Sequence, residues 1–241
     1  MKLHRPFFYL LTVFCFCACT DGKPDKDARG AKAAAPTDPV AGRIDSLKRL
    51  AQPGDLLFRL GDDMMSYSIR YLSERDPSYS HVGLLVERGG SLQVAHIGPY
   101  PDGRDTLQCE PIDSFINPVK NLDAGLYRFH LSEAEKTLLI ANVRKCAEQK
   151  VHFDYAYDVR TNDKLYCTEL IAKSLAAATE NRIRFEGMLV PAPMRKLMYA
   201  FLSQAVPDTN EVRNRRYIAL DHLYMNEHCD SVIKISLRPP Q

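Results

Sequence analysis

Three side chains in this sequence have the types and placement for covalent chemistry: Cys167, His81 and His96. Cys167 stands in Leu165-Tyr166-Cys167-Thr168-Glu169-Leu170, after a turn-rich segment (158–164). Apolar residues then recur at helical spacing, at Leu170, Ile171, Leu175 and Ala178. That order predicts a cysteine on the first turn of a helix. There a thiol meets the positive end of the helix dipole and unpaired backbone N–H groups. Such a setting is expected to lower the thiol pKa and favour the thiolate. The same N–H groups can hold a developing oxyanion. What the cysteine lacks locally is a base.

The two histidines meet that need. Residues 79–87 read as a strand, Arg88-Gly89-Gly90-Ser91 as a turn and 92–97 as a second strand, which together make a hairpin. Along the first strand His81, Gly83 and Leu85 share a face; along the second, Val94 and His96 do. Both histidines lie at the strand ends away from the turn, so pairing brings them together as a base and the group that orients it. Two other readings stand beside this one. A histidine near a strand start is often structural, and histidine with cysteine can bind zinc. No C-x-x-C or H-x-x-H spacing supports a metal site here. His222, His228 and Cys229 match no common metal motif and read as structural, as does His130. No cofactor is implied.

The elements that must position these residues follow from pattern. Residues 44–50 read as a short helix, 55–60 as a strand, and 64–75 as a helix with Met65, Ile69 and Leu72 on one face. A third strand is expected at 106–110 and another at 125–131. Ser132 and Glu135 form a capping box that opens a helix to about 149, with Cys146 in its core face. An amphipathic helix at 194–205 carries Leu197, Met198, Phe201 and Leu202, either as packing or as the wall of an acyl-chain groove. A polar loop (207–216), a short helix (220–225) and a strand (231–237) close the chain. The expected class is α+β, an antiparallel sheet of five or six strands against the cysteine helix.

The N-terminus reads differently. Residues 1–19 are a short basic start and an apolar run of about a dozen residues, too short to span a bilayer. They read as a secretory signal peptide. Its end, Phe16-Cys17-Ala18-Cys19, looks like a bacterial lipobox, with Cys19 as the lipidated residue; a plain signal peptide or a retained anchor is the alternative. Residues 20–42 are polar and rich in Pro and Ala, and read as a tether. The folded domain is expected at 43–241. The formal net charge is +2, and Lys2 and Arg5 lie in the leader, so the mature chain is neutral. A neutral chain gives no electrostatic footprint for nucleic acid. Cys109, Cys146 and Cys229 leave disulfides open, with no basis for pairing them.

The order Pro53-Gly54-Asp55-Leu56-Leu57-Phe58, then Ser80-His81-Val82-Gly83-Leu84-Leu85, then Tyr166-Cys167-Thr168-Glu169-Leu170 resembles the permuted papain-like cysteine hydrolases. These are the YiiX/YaeF-like members of the NlpC-type superfamily, related to the lecithin retinol acyltransferase-like proteins. The resemblance covers roughly residues 50–200. It implies a permuted papain-like fold, Cys167 as nucleophile and His81 as general base. The third polar position falls on His96, where many YiiX-like members carry Glu and the acyltransferase-like ones carry His. Tyr166 matches an aromatic beside the nucleophile. Asp154 matches a polar position before the cysteine, and would otherwise be a turn residue. The implied activity is an amidase or hydrolase acting through an acyl-enzyme in the cell envelope. Its substrate would be a small-molecule, peptide or lipid amide or ester, and its membrane contact the N-terminal lipid, on the periplasmic or outer surface. Peptidoglycan peptides and lipids both fit, with hydrolysis or acyl transfer. A non-catalytic binding lipoprotein on the same fold is the competing class; a redox protein would need a second nearby thiol.

Overall fold

A computed structural model of the chain describes residues 38–100, 103–202, 205–206 and 208–239. The expected leader 1–19 with Cys19, and all but the end of the tether 20–42, lie outside the described residues. Helix α1 spans Pro39–Leu50, so regular structure begins before residue 43 and takes in the last tether residues. The chemistry of its start explains this. Asp38 accepts from the Val40 N–H, and Pro39 fills the first position, where its missing N–H is no loss.

The elements then run β1 (Leu56–Gly61), α2 (Met64–Arg70), β2 (His81–Arg88), β3 (Ser91–His96), β4 (Gln108–Pro111), α3 (Ile112–Phe115), β5 (Asn121–Phe129) and α4 (Glu133–Glu148). The second half holds β6 (His152–Phe153), β7 (Lys164–Leu165), α5 (Cys167–Ala178), β8 (Met188–Leu189), α6 (Arg195–Leu202), α7 (Thr209–Asn214), β9 (Arg216–Tyr217), α8 (Asp221–Tyr224) and β10 (Cys229–Ser236). Six strands form one antiparallel sheet in the order β10-β5-β1-β2-β3-β4. The molecule is therefore α+β, as the pattern implied. The capping box at Ser132 and Glu135 opens α4.

Both faces of the sheet are covered, which is why β1 and β2 are nearly continuous apolar runs rather than alternating ones. Leu56, Phe58, Val82, Leu84 and Val86 point into a core shared with α4 and α5. Leu57, Leu85, Val94 and Leu126 point the other way, into a second core under α1 and α3. Successive strand residues alternate between these two layers.

Two expectations fail locally. Helix α2 stops at Arg70, short of residue 75. The chain beyond it is claimed by the buried Asp221, whose carboxylate accepts from the backbone N–H groups of Glu74 (3.1 Å), Arg75 (2.7 Å) and Asp76 (3.2 Å). Tyr217 Oη also donates to the Leu72 carbonyl at 2.5 Å, and Tyr224 Oη to that of Asp76. The expected loop 207–216 contains α7, started by Asp208, which accepts from the Asn210 N–H at 2.8 Å.

Candidate active site

Cys167 is the first residue of α5, as its spacing predicted. The N–H of Val82, on β2, faces its sulfur, as do those of Thr168 and of Cys167 itself. Thr168 Oγ1 lies 3.9 Å from Sγ. The expected depression of the thiol pKa does not result. Burial pushes it up, and the contacts from Thr168 and the backbone N–H groups, which pull it down, do not offset that. A helix end acts through one turn of structure, whereas loss of water around the sulfur involves the whole site.

His81 opens β2, next to Val82, and lines one cavity of about 390 Å³ together with Cys167, Tyr166, Thr168 and Ser80. The hairpin brings the histidines together as the strand pattern required, with His81 Nε2 2.9 Å from His96 Nδ1. Gly83 makes this approach feasible. A Cβ there would stand 2.4 Å from Val94 Cγ1 and 3.1 Å from His96 Cβ. The buried His96 then meets Glu110, whose Oε1 lies 2.9 Å from Nε2, off the ring N–H axis. Glu110 pairs with Val94 across β3 and β4, so it is the diagonal neighbour of His96 on one face, within reach of a long side chain.

These contacts select one tautomer set. Glu110 as carboxylate takes the proton-bearing Nε2 of His96; His96 Nδ1 accepts from His81 Nε2; His81 Nδ1 is left as the free base. Tyr100 Oη lies 3.2 Å from His96 Nδ1 and donates to the His96 carbonyl at 3.4 Å. Glu110 resists burial, which would raise its pKa. The His96 contact and the Arg59 charge hold it below the usual carboxylate range.

Arg59 and Glu110 carry no role in the sequence pattern, yet both shape this site. Arg59 is the β1 partner of His81. Its guanidinium sits 4.4 Å above the Phe115 ring and donates to the Phe115 carbonyl at 2.8 Å. His81 and His96 pack on the same ring, with centroids at 5.7 and 4.9 Å. The His81 pKa lies well below the ordinary value, through burial first and then the charge of Arg59. Burial lowers that of His96 too, against the pull of Glu110. The resting site is thus a neutral thiol and neutral imidazoles. An arginine inside an apolar strand run was the one available signal for Arg59.

Tyr166 lines the cavity with its ring, while its hydroxyl accepts from the Ile218 N–H at 2.7 Å. It therefore anchors α5 rather than offering its oxygen to a substrate. Asp154, the polar position that the resemblance matches before the cysteine, does not line the cavity. Its carboxylate accepts from the N–H groups of Ala156 (2.9 Å) and Asp158 (2.5 Å), closing a turn. Glu169, fully buried, pairs with Lys173 at 2.7 Å and accepts from the Tyr166 N–H at 3.4 Å; burial carries its pKa up to about 7. His222 pairs with Glu74 and His130 with Asp230. Cys109, Cys146, Cys167 and Cys229 are all free.

Two consequences are measurable. Glu110→Gln should slow alkylation of Cys167 about tenfold, through loss of one charge-assisted contact of about 1.4 kcal/mol. An unchanged rate would remove Glu110 from the chain of contacts. Acid should also destabilise the fold. The pKa values of His96 and His81 are both lowered in the folded state, so below about pH 6.5 the unfolded chain takes up two protons that the folded one refuses, while Glu169, raised to about 7, takes one up on folding. The His96 share is full above that pH and falls by about 1.4 kcal/mol per pH unit beneath it. Urea titrations at neutral and mildly acid pH, on wild type and His96→Gln, check this; a variant whose stability changes with pH as much as that of the wild type contradicts it.

No family model matches the sequence, and no curated protein matches it. Among solved structures, the chain is similar to the metalloprotein YiiX from Escherichia coli O157:H7, with a TM-score of 0.60 and 17% identity, over 77% of this chain and 98% of that one. A metal ion does not fit the side chains here. Among the described residues no three or more His, Cys, Asp or Glu side chains are grouped to hold one, and both His96 nitrogens already face partners. Identity this low carries shape rather than chemistry, and on that basis the chain has a YiiX-like fold.

Proposed function

We propose that this protein is a cysteine hydrolase of permuted papain-like type, acting on an amide or ester through an acyl-enzyme. The observation that carries this reading is one cavity lined by both Cys167 and His81, with His81 Nε2 held by His96 and His96 in turn beside Glu110. His81 takes the proton from Sγ as the sulfur attacks the carbonyl carbon. The Cys167 N–H, at the start of α5, stabilises the oxyanion. His81 then protonates the leaving nitrogen or oxygen, the C–N or C–O bond breaks, and the acyl group stays on Sγ as a thioester. Water, or another acceptor, attacks the thioester and restores the thiol. With His96 between them, the Glu110 carboxylate balances the positive charge that His81 gains. Burial and the charge of Arg59 oppose a protonated His81, and burial opposes a free thiolate, so the proton transfer runs together with attack rather than before it.

Export and lipid attachment at Cys19 complete the proposal and rest on the sequence of residues 1–42, which would place the enzyme in the cell envelope. The test is alkylation of the purified chain by iodoacetamide, with mass spectrometry to locate the adduct. Cys167 should react before Cys109, Cys146 and Cys229. Labelling of Cys167 no faster than of the other three would favour a non-catalytic ligand-binding protein.

A further inference from the structure

The walls of the cavity limit the chemistry of what it can hold. Among the described residues none of the lining side chains is a carboxylate, lysine or arginine. Apart from Cys167 and His81, the polar lining consists of Ser73, Ser80, Thr168 and tyrosine hydroxyls; the rest is apolar or aromatic. A substrate carrying carboxylates or ammonium groups would lose hydration there with no charged side chain on the wall to pair with. An alkyl chain would lose nothing of the kind.

The apolar surface does not stop at the cavity mouth. Helix α2 buries none of its residues. Met64 is 80% exposed, Met65 47%, Tyr67 51% and Tyr71 41%, while Met65 and Ile69 also line the cavity. The one cation of α2, Arg70, lies 5.8 and 5.7 Å from the ring centroids of Tyr67 and Tyr71. Aromatic rings with an arginine laid over them suit a boundary between hydrocarbon and water. Beside α2, Leu197 and Met198 of α6 close a small gap against Ile69 and Leu72. The outer side of α6 forms, with α7, a groove of about 420 Å³ in which Arg195, Lys196 and Arg213 rim an apolar floor. Apolar side chains, a cationic rim and an uncharged cavity thus follow one another across neighbouring elements.

We propose that α2 and α6 form a docking face for an anionic lipid surface, and that the cavity takes the acyl chain of a lipid ester or amide from it. Methionine and tyrosine side chains of α2 enter the acyl boundary, and Arg195, Lys196 and Arg213 meet the phosphates. The chemistry rests on the cysteine reading above: Sγ bonds to the acyl carbon, the headgroup-side oxygen or nitrogen leaves with the proton from His81, and water releases the fatty acid. The docking does not rest on it.

The test is co-sedimentation of the full chain with vesicles of phosphatidylcholine alone, or mixed with phosphatidylglycerol. Three variants are compared: Met64→Ser/Met65→Ser/Tyr67→Ser, Arg195→Glu/Lys196→Glu, and Cys167→Ser. Near-UV circular dichroism controls for folding; the substituted α2 and α6 side chains are exposed. The serine variant should lose about tenfold or more in partitioning to both vesicles. The charge-reversed variant should lose about tenfold on the anionic vesicles only. Cys167→Ser should partition as wild type does. Failure of the wild type to sediment, or equal sedimentation of wild type and both surface variants, overturns the docking face. So does a dimer in vesicle-free buffer that the serine substitutions dissolve, which would give the face to a second copy of the chain. A thiol at Cys167 that alkylates no faster than the others, with variant-sensitive sedimentation, retires the hydrolase and leaves the docking. The reverse result retires the docking and leaves the hydrolase.

Discussion

His81→Ala is expected to slow acyl transfer to Cys167 by a factor of about 10²–10⁴, the usual contribution of a positioned general base. The loss should be large because the thiol cannot compensate. Burial raises its pKa, so little thiolate exists near neutrality without help. The pH profile distinguishes this from a packing effect. In the wild type, reaction should persist below neutrality, since a neutral His81 accepts the proton during attack and its own pKa is low. In the variant, the rate should climb only at alkaline pH, as the thiol itself ionises. Rates that are equal at all pH values would take His81 out of the chemistry. Rates that fall equally at all pH values would point to a general loosening of the site.

Asp221→Ala should cost about 3 kcal/mol of stability and weaken the site with it. One buried carboxylate serves three backbone donors, at Glu74, Arg75 and Asp76. Each donor left unpaired costs about 1–3 kcal/mol, with the lower values applying where water can enter. These residues belong to the stretch that leads from α2 to His81. Freed, it should exchange its amide protons faster, and the alkylation rate of Cys167 should fall. Asp221→Asn keeps one acceptor oxygen and should recover part of both losses. Urea titration and amide exchange at residues 74–76 measure the effect. A variant as stable as wild type, with unchanged exchange, would show that the stretch is held by Tyr217 and Tyr224 instead.

The parts of this site that could be read from sequence are those fixed by neighbours in the chain. The start of α5 at Cys167 follows from a helical repeat after a turn. The pairing of His81 with His96 follows from strand period and a Gly-Gly turn. Glu110 and Arg59 escaped because their roles depend on which strands lie side by side and in what register. Glu110 needs β4 against β3, and Arg59 needs β1 against β2. The end of α2 was misplaced because Asp221, which claims the following backbone, lies 145 or more residues away. Helix α7 is short and polar, with no apolar repeat to announce it. The thiol pKa was misjudged in sign because the helix end is a local property and burial is not. For Asp154 the correct alternative, a turn residue, was legible; nothing local decided between the two.

The two-sided burial of the sheet makes the cavity a joint between two layers. Cys167 belongs to the layer under α4 and α5, whereas His81 and His96 rest on Phe115 in the layer under α1 and α3. The side chains therefore approach from opposite sides of the sheet, and Cys167 and His81 meet at one cavity. Their relative placement depends on both cores at once, so a substitution that loosens either core should move one of them away from the other.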